Sequence, residues 1–150
     1  MKIAIGCDHA GFELKEKVKA ILQSWGHDLT DCGTNSKESV DYSDFALKVA
    51  EMVAAGEAEK GVVICWTGNG VSMTANKVNG IRATIALNPD MAQLSRAHNN
   101  SNVLALASKY LENDKLEEIL KVWLETEFEG GRHLRRLAKI PHSGISLDNS

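Results

Sequence analysis

Residues 61–73 read GVVICWTGNGVSM, and this stretch indicates the class of fold. An apolar run ends at Cys65, a loop containing Gly68 and Gly70 follows, and a short helical pattern begins near Val71 and extends to Lys77. An apolar run that turns through glycines into a helix is typical of a buried parallel strand followed by its crossover helix. The sequence therefore predicts a βα unit here.

The same alternation continues along the whole chain. Five runs are interpreted as strands, at residues 2–6, 28–31, 62–65, 82–86 and 103–107. Helices are predicted between them, with Ser43 or Asp44 as the cap of the second, a fourth at residues 89–98, and a last one that begins near Asp114 and ends before Gly130. Five βα units predict an α/β fold, a Rossmann-like three-layer αβα sandwich with an open five-stranded parallel sheet.

The composition restricts the class of protein. The 150 residues carry no repeat or linker, so we expect a single domain spanning residues 1–150. A formal net charge of −3 argues against a nucleic-acid-binding surface. Three widely spaced cysteines form no disulfide framework, and neither a signal peptide nor a membrane-length apolar run is recognisable. We therefore expect a cytoplasmic protein that binds neither nucleic acid nor a membrane.

The C-terminal part of the chain contains a basic segment. Residues 132–139 read RHLRRLAK and hold four of the 17 Lys and Arg residues without an acidic one. Arg132 and Arg136 are four residues apart, so they share one face of a helix and could clamp a phosphate. A solvated helix face is the alternative interpretation.

Ligands of open parallel sheets bind at the carboxyl ends of the strands, so the loops there hold the candidates for chemistry. Backbone N–H groups at Gly68 and Gly70 could contact an anion, although a tight turn without a ligand fits the same pattern. Cys65 is either a base or nucleophile beside this loop or a buried packing residue. Asp8 is either a ligand-binding group or a helix cap, and His98 is either an acid–base catalyst or a helix-ending residue.

A metal site is not expected from the sequence. No set of His, Cys, Asp and Glu residues has the spacing of a zinc site. Nothing matches a dinucleotide fingerprint or a P-loop, because Met73 occupies the third glycine position of the former. We therefore expect neither a metal nor another cofactor.

Several separated motifs, in this order, resemble the ribose-5-phosphate isomerase B family, which includes subunits of galactose-6-phosphate isomerase. The matching segments are IGCDHAGFELK (5–15), CGT (32–34), DYSDFA (41–46), ICWTGNGVSMTANKVNGIRA (64–83), AQLSRAHNNSNVLAL (92–106) and FEGGRHLRRL (128–137). Together they span almost the whole chain. The resemblance implies a metal-free isomerisation between ribose 5-phosphate and ribulose 5-phosphate through an enediolate.

The resemblance also implies a role for each matching residue. Cys65 corresponds to the catalytic base, His98 to the residue that opens the sugar ring, and Asp8 to a group that binds hydroxyls or assists ring opening. The anion hole for the enediolate corresponds to Thr67, Gly68, Asn69, Gly70 and Val71. The remaining substrate contacts correspond to His9, Tyr42, Asn99, Arg132 and Arg136, of which His9 and the two arginines hold the phosphate.

Family members form dimers or tetramers with shared active sites, so the resemblance implies that His98 and Asn99 serve a second copy of the chain. Three residues depart from the family pattern. Trp66 replaces a glycine, Ser43 replaces a proline, and Lys109 stands where some members have another phosphate-binding arginine. An isomerase of galactose 6-phosphate, allose 6-phosphate or a four-carbon ketose phosphate is therefore an alternative, and a non-catalytic sugar-phosphate-binding module is a more distant one.

Overall fold

A computed structural model describes residues 1–149 of the chain. Its five strands pair in parallel and form a sheet with the order β2-β1-β3-β5-β4. The strands are β1 (Lys2–Cys7), β2 (Asp28–Asp31), β3 (Lys60–Cys65), β4 (Ala83–Ile85) and β5 (Val103–Ala107). The prediction of an open five-stranded parallel sheet is confirmed.

Six α-helices lie within residues 1–149, and the first five of them pack on the two faces of this sheet. They are α1 (Phe12–Ser24), α2 (Tyr42–Ala54), α3 (Asn69–Ala75), α4 (Pro89–Ala97), α5 (Leu116–Glu125) and α6 (Arg132–Ala138). Helices α1, α4 and α5 bury apolar side chains in one core cluster with Ile5 and Ile64. Helices α2 and α3 form a second cluster with Val63 and Val103. Neighbouring residues of one strand thus face opposite layers, which confirms the αβα sandwich.

Several element boundaries differ from the predictions by one or a few residues; the last long helix, for example, ends at Glu125, before Gly130 is approached. Two of these differences have local reasons. Helix α3 begins at Asn69 and ends at Ala75, because Gly68 takes a left-handed conformation with φ of 78° and turns the chain directly into the helix. Strand β4 omits Arg82, whose backbone N–H donates to the Asn102 side chain at 2.8 Å. The apolar pattern reports burial and does not register such side-chain bonds.

The predicted cap of α2 is wrong. This helix begins at Tyr42 with Asp41 as its N-cap, so Ser43 and Asp44 both lie inside the first turn. The Asp44 backbone N–H donates to the Asp41 carbonyl at 3.2 Å. No side chain caps this helix start within the described structure.

A buried lysine connects α1, β2 and the loop that follows β2. Lys15 is fully buried, and its ammonium lies 2.7 Å from Asp31 Oδ1 and 2.6 Å from the Thr34 carbonyl. Lys19 also contacts Asp31, at 2.8 Å. Although partial burial raises the pKa of Asp31, hydrogen bonds from both ammonium groups outweigh it and lower that pKa. This network holds the loop against the carboxyl end of β1.

No helix among residues 1–149 combines the length and apolar character that crossing a bilayer requires.

Candidate functional site

The carboxyl ends of the central strands lie at one level of the sheet. Cys7 of β1 pairs with Ile64 of β3, and Cys65 pairs with Ala107 of β5. The sheet order changes direction between β1 and β3, where loops diverge and leave room for a ligand. Residues that directly follow these three strands therefore converge.

Asp8 and His9 follow β1. One carboxylate oxygen of Asp8 accepts hydrogen bonds from the Ala10 and Gly11 backbone N–H groups, at 3.0 and 3.2 Å, so Asp8 caps the short 3₁₀ helix His9–Gly11 whether or not it also binds a ligand. His9 Nδ1 accepts the Val40 N–H at 3.2 Å, which leaves the ring proton of a neutral imidazole on Nε2. Both side chains are thereby held at the edge of the sheet.

Cys65 ends β3 beside a backbone donor. Its Sγ accepts the Gly68 N–H at 3.2 Å, and the residue is 5% exposed. The loop tightens further because the Thr67 hydroxyl accepts the Asn69 N–H at 3.4 Å. The loop therefore directs a backbone hydrogen-bond donor at the sulfur of this cysteine.

Cys7 ends the neighbouring strand β1, where it pairs with Ile64, but its environment differs from that of Cys65. It is fully buried, and burial raises the pKa of its thiol to about 11 despite the opposing charge of Lys15. Cys32 is half-buried in contact with Met52, and burial raises its pKa as well. These two thiols remain protonated at neutral pH, and their environments are those of packing residues.

Tyr42 reaches the same region from the start of α2. A methyl group added at Gly70 would clash with Tyr42 Cε1, so the ring packs directly over the glycine. Tyr42 is nevertheless 43% exposed. Gly70 therefore keeps the tyrosine next to the loop while one side of the ring faces solvent.

The segment after β5 completes this edge of the sheet. The Ser108 hydroxyl, which the sequence analysis missed, donates to the Ala10 carbonyl at 3.0 Å and joins the loops after β1 and β5. The Lys109 N–H donates to the Trp66 carbonyl at 2.9 Å, and its ammonium lies 5.9 Å from the centre of the exposed Trp66 ring. A small polar residue directly after a buried strand was the available signal for Ser108.

The other predicted residues lie at the opposite edge. His98 follows α4, four residues before Asn102, whose carbonyl accepts the N–H of Gly61 near the start of β3. Asn102 lies five residues before Ala107, the β5 residue that pairs with Cys65. The levels of Asn102 and Cys65 are therefore about 17 Å apart along the strands. Asn99, Arg132 and Arg136 share this amino edge with His98, because the Glu129 N–H just before α6 donates to the Ala97 carbonyl at 3.0 Å. One chain thus does not bring Cys65 and His98 together.

Two residues beside His98 escaped the sequence analysis. The His98 and His133 rings stack with centroids 4.3 Å apart, and Glu129 lies next to both. Within residues 1–149, neither Arg132 nor Arg136 pairs with a carboxylate, and both are exposed. The amino edge therefore presents two guanidinium groups and a half-exposed imidazole to solvent.

Comparison with known proteins identifies the family. The family described as ribose/galactose isomerase matches residues 3–140. This chain belongs to that family. Ribose-5-phosphate isomerase B of Escherichia coli is 47% identical over 139 residues, which cover 93% of each chain. The resemblance inferred from the sequence motifs is confirmed.

Solved structures of family members have the same fold. Ribose-5-phosphate isomerase B of Clostridium thermocellum is 50% identical, has a TM-score of 0.92, and the match covers 93% of this chain and 95% of that one. The Mycoplasma genitalium ribose-5-phosphate isomerase B with bound ribulose-5-phosphate is 39% identical, with a TM-score of 0.88 and 93% coverage of both chains. The Rossmann-like arrangement of this chain is therefore that of the isomerase family.

Proposed function

We propose that this protein is an aldose–ketose isomerase that interconverts ribose 5-phosphate and ribulose 5-phosphate. The observation that carries the proposal is the Cys65 thiol, which lies at the sheet's carboxyl edge with the Gly68 N–H 3.2 Å from its sulfur. Family membership supports the reaction type, and the relative that binds ribulose-5-phosphate supports a sugar phosphate as the substrate.

The proposed chemistry is a proton transfer between two carbons. The Cys65 thiolate takes the proton from C2 of the open-chain aldose, and the C–H electron pair forms the C1–C2 double bond while O1 becomes negative. Backbone N–H groups of the loop from Thr67 to Val71 stabilise that oxygen, since donors positioned for a developing charge lower the barrier. Return of the proton from the Cys65 thiol to C1, with transfer of the O2 proton to O1, gives the ketose and restores the thiolate.

Ring opening precedes this transfer. We assign it to His98, which would take a proton from the sugar's anomeric hydroxyl, and we assign hydroxyl binding to Asp8, Tyr42 and Asn99. His9, Arg132 and Arg136 are proposed to hold the phosphate, with a point charge contributed by Lys109. Guanidinium groups without a carboxylate partner are suited to this task.

We propose that the active form contains at least two chains, as a homodimer or a homotetramer. The amino edge that holds His98 lies about 17 Å along the strands from Cys65, whereas proton transfer requires contact at about 3 Å. His9 and the two arginines are divided between the same two edges. A second copy that brings its amino edge to the first copy's carboxyl edge would complete both half-sites.

Conversion of ribose 5-phosphate by the purified protein in the presence of a chelator tests the reaction. Cys65→Ala should lose turnover by at least about 10³-fold and still bind the sugar phosphate in calorimetry. Cys32→Ala is the matched control, because this thiol is half-buried against Met52 and should leave turnover unchanged. Turnover retained in Cys65→Ala would remove this residue from the base role.

The ring-opening role of His98 has its own test. His98→Ala should lower kcat with ribose 5-phosphate by about 10²- to 10⁴-fold, the usual contribution of an acid–base catalyst. Erythrose 4-phosphate carries its phosphate on the oxygen that would close the ring, so it needs no opening and its conversion should be much less affected. Equal losses with both sugars would contradict the assignment.

Trp66 is the residue that makes a different sugar-phosphate substrate an alternative. This ring is 53% exposed beside Cys65, at a position where family members usually have glycine. If ribose 5-phosphate binds without conversion, comparison of kcat/KM for galactose 6-phosphate, allose 6-phosphate and four-carbon sugar phosphates would identify the substrate. Binding of all these sugars without conversion of any would instead indicate a non-catalytic binding module. The single domain and the cytoplasmic location remain predictions.

A further inference from the structure

Three side chains with metal-binding atoms meet at the amino edge of the sheet. They are His98 after α4, Glu129 before α6, and His133 in the first turn of α6, and their ligand atoms all lie within 4.8 Å of one another. His133 Nε2 lies 3.4 Å and His98 Nε2 lies 3.9 Å from Glu129 Oε2. Residues 35 positions apart along the chain thus form one compact cluster.

The buried histidine of this cluster has a ring nitrogen without a hydrogen-bond partner in the described structure. His133 is 5% exposed, and its Nε2 is buried without a hydrogen bond in the described structure. The Glu129 carboxylate is near that nitrogen but is not aligned with it for a hydrogen bond. An unsatisfied buried nitrogen is costly, and a ligand at this point would remove the cost.

We propose that His98, Glu129 and His133 form a binding site for Zn²⁺ or a similar divalent transition-metal ion. Two imidazoles and one carboxylate are a ligand set that such ions prefer, whereas Mg²⁺ prefers oxygen ligands. Bound there, the ion removes His98 from ring opening and inhibits the enzyme, a consequence that rests on the proposed function. The ion is not part of the reaction, so the expectation of a metal-free isomerase is unchanged.

The distances between the ligand atoms are close to those around a bound zinc ion. Zinc bonds of about 2.0–2.1 Å place tetrahedral ligands about 3.3 Å apart. The separation of 3.4 Å between His133 and Glu129 already matches this value, and the separation of 3.9 Å from His98 to Glu129 requires a small closure. The stacked His98 ring must also turn toward the ion, and a side-chain exposure of 37% leaves it free to do so.

The residues around this cluster limit its affinity for a metal ion. Arg132 and Arg136 belong to the same helix as His133, and their positive charges oppose a bound cation. The part of the chain that the structure describes supplies three protein ligands, so water or a second copy of the chain would complete the coordination. We expect a dissociation constant on the order of micromolar, weaker than that of structural zinc sites.

Direct binding is measured first, by titration of the chelator-treated protein with Co²⁺ and observation of its visible absorption. The wild type should bind one ion with bands typical of nitrogen and oxygen ligands. Glu129→Gln should weaken binding at least about tenfold, and Glu127→Gln, an exposed glutamate two residues away, should not. Cys65→Ala should bind as well as the wild type. Absence of binding, or binding that depends on Cys65 but not on Glu129, would overturn the proposal.

Inhibition is measured second, with each variant compared with its own activity in the absence of metal. Zn²⁺ should inhibit wild type and Glu127→Gln alike, Mg²⁺ should not, and Glu129→Gln should need at least about tenfold more Zn²⁺. Equal sensitivity of both glutamate variants would contradict the inference. Binding of Co²⁺ by a protein without isomerase activity would support the metal site while contradicting the proposed function, so the two failures are distinguishable.

Discussion

Mixing two inactive variants should restore activity if the active site is shared between chains. Cys65→Ala and His98→Ala each remove one half of the site, and the two residues lie at opposite edges of the sheet. In a mixed dimer, one site receives both substitutions and the other receives neither. The second site therefore contains an intact Cys65 from one chain and an intact His98 from the other.

The size of the recovery follows from random assortment. A site is active when its Cys65 and its His98 are both intact, and each condition holds for half of the chains in an equal mixture. The expected activity is about one quarter of wild type, for dimers and tetramers alike, provided that each site draws on two chains. A purified mixed dimer should have about half of wild-type activity.

Two affinity tags on co-expressed variants allow the mixed species to be isolated, and ribose 5-phosphate turnover is then measured on the mixed and unmixed proteins. Circular dichroism and solution mass establish that each variant folds and assembles. A folded mixed assembly without activity would refute the reasoning, since it would show that Cys65 and His98 act within one chain. High activity in either unmixed variant would refute the residue assignments.

Three further predictions concern packing, the buried ion pair and pH. Gly70→Ala should lower kcat/KM about tenfold, because its methyl group displaces the Tyr42 ring. Lys15→Met should lower the free energy of unfolding in urea by about 3 kcal/mol, since it removes the buried ammonium that donates to Asp31 and to the Thr34 carbonyl. Burial raises the pKa of Cys7 from 9.0 to about 11. The free energy of unfolding that depends on the protonated Cys7 thiol should therefore be fully present below pH 9 and should fall as the pH rises to 11.

Each of these predictions has a matched comparison. Tyr42→Ala should reproduce the kinetic loss of Gly70→Ala, and unfolding should show that neither change costs more than about 1 kcal/mol. Lys19→Met, at a partly exposed position, should cost less than about 1 kcal/mol, and equal losses at both lysines would contradict the argument. Stability curves of wild type and Cys7→Ala that stay parallel between pH 9 and 11 would contradict the pH prediction.

Four of the five strands and most helices were predictable because their buried residues produce apolar patterns, whereas β2 is mostly exposed. The sheet order was not predicted, since periodicity does not report that β5 lies between β3 and β4. The start of α2 was misplaced because Asp41, Ser43 and Asp44 are all residues that favour a cap. Sequence patterns identify which residues are buried, and the topology decides which of them are neighbours.

The candidate site was predictable at the carboxyl edge, where each residue follows a recognisable strand. The cluster of His98, Glu129 and His133 was not, because 30 positions separate the first two and no motif connects them. Ser108 was missed for a similar reason, since its hydroxyl bonds to the loop after a distant strand. Contacts between segments that are far apart in sequence require the folded backbone.

The position of Trp66 gives the protein an internal optical reporter. Trp123 is fully buried and Trp25 is 40% exposed away from the candidate site, whereas Trp66 is 53% exposed directly after Cys65. Indole emission depends on the polarity around the ring, and a sugar phosphate that enters beside Cys65 would displace water from Trp66. In a Trp25→Phe background, the emission of the unlabelled protein would therefore follow substrate occupancy during turnover.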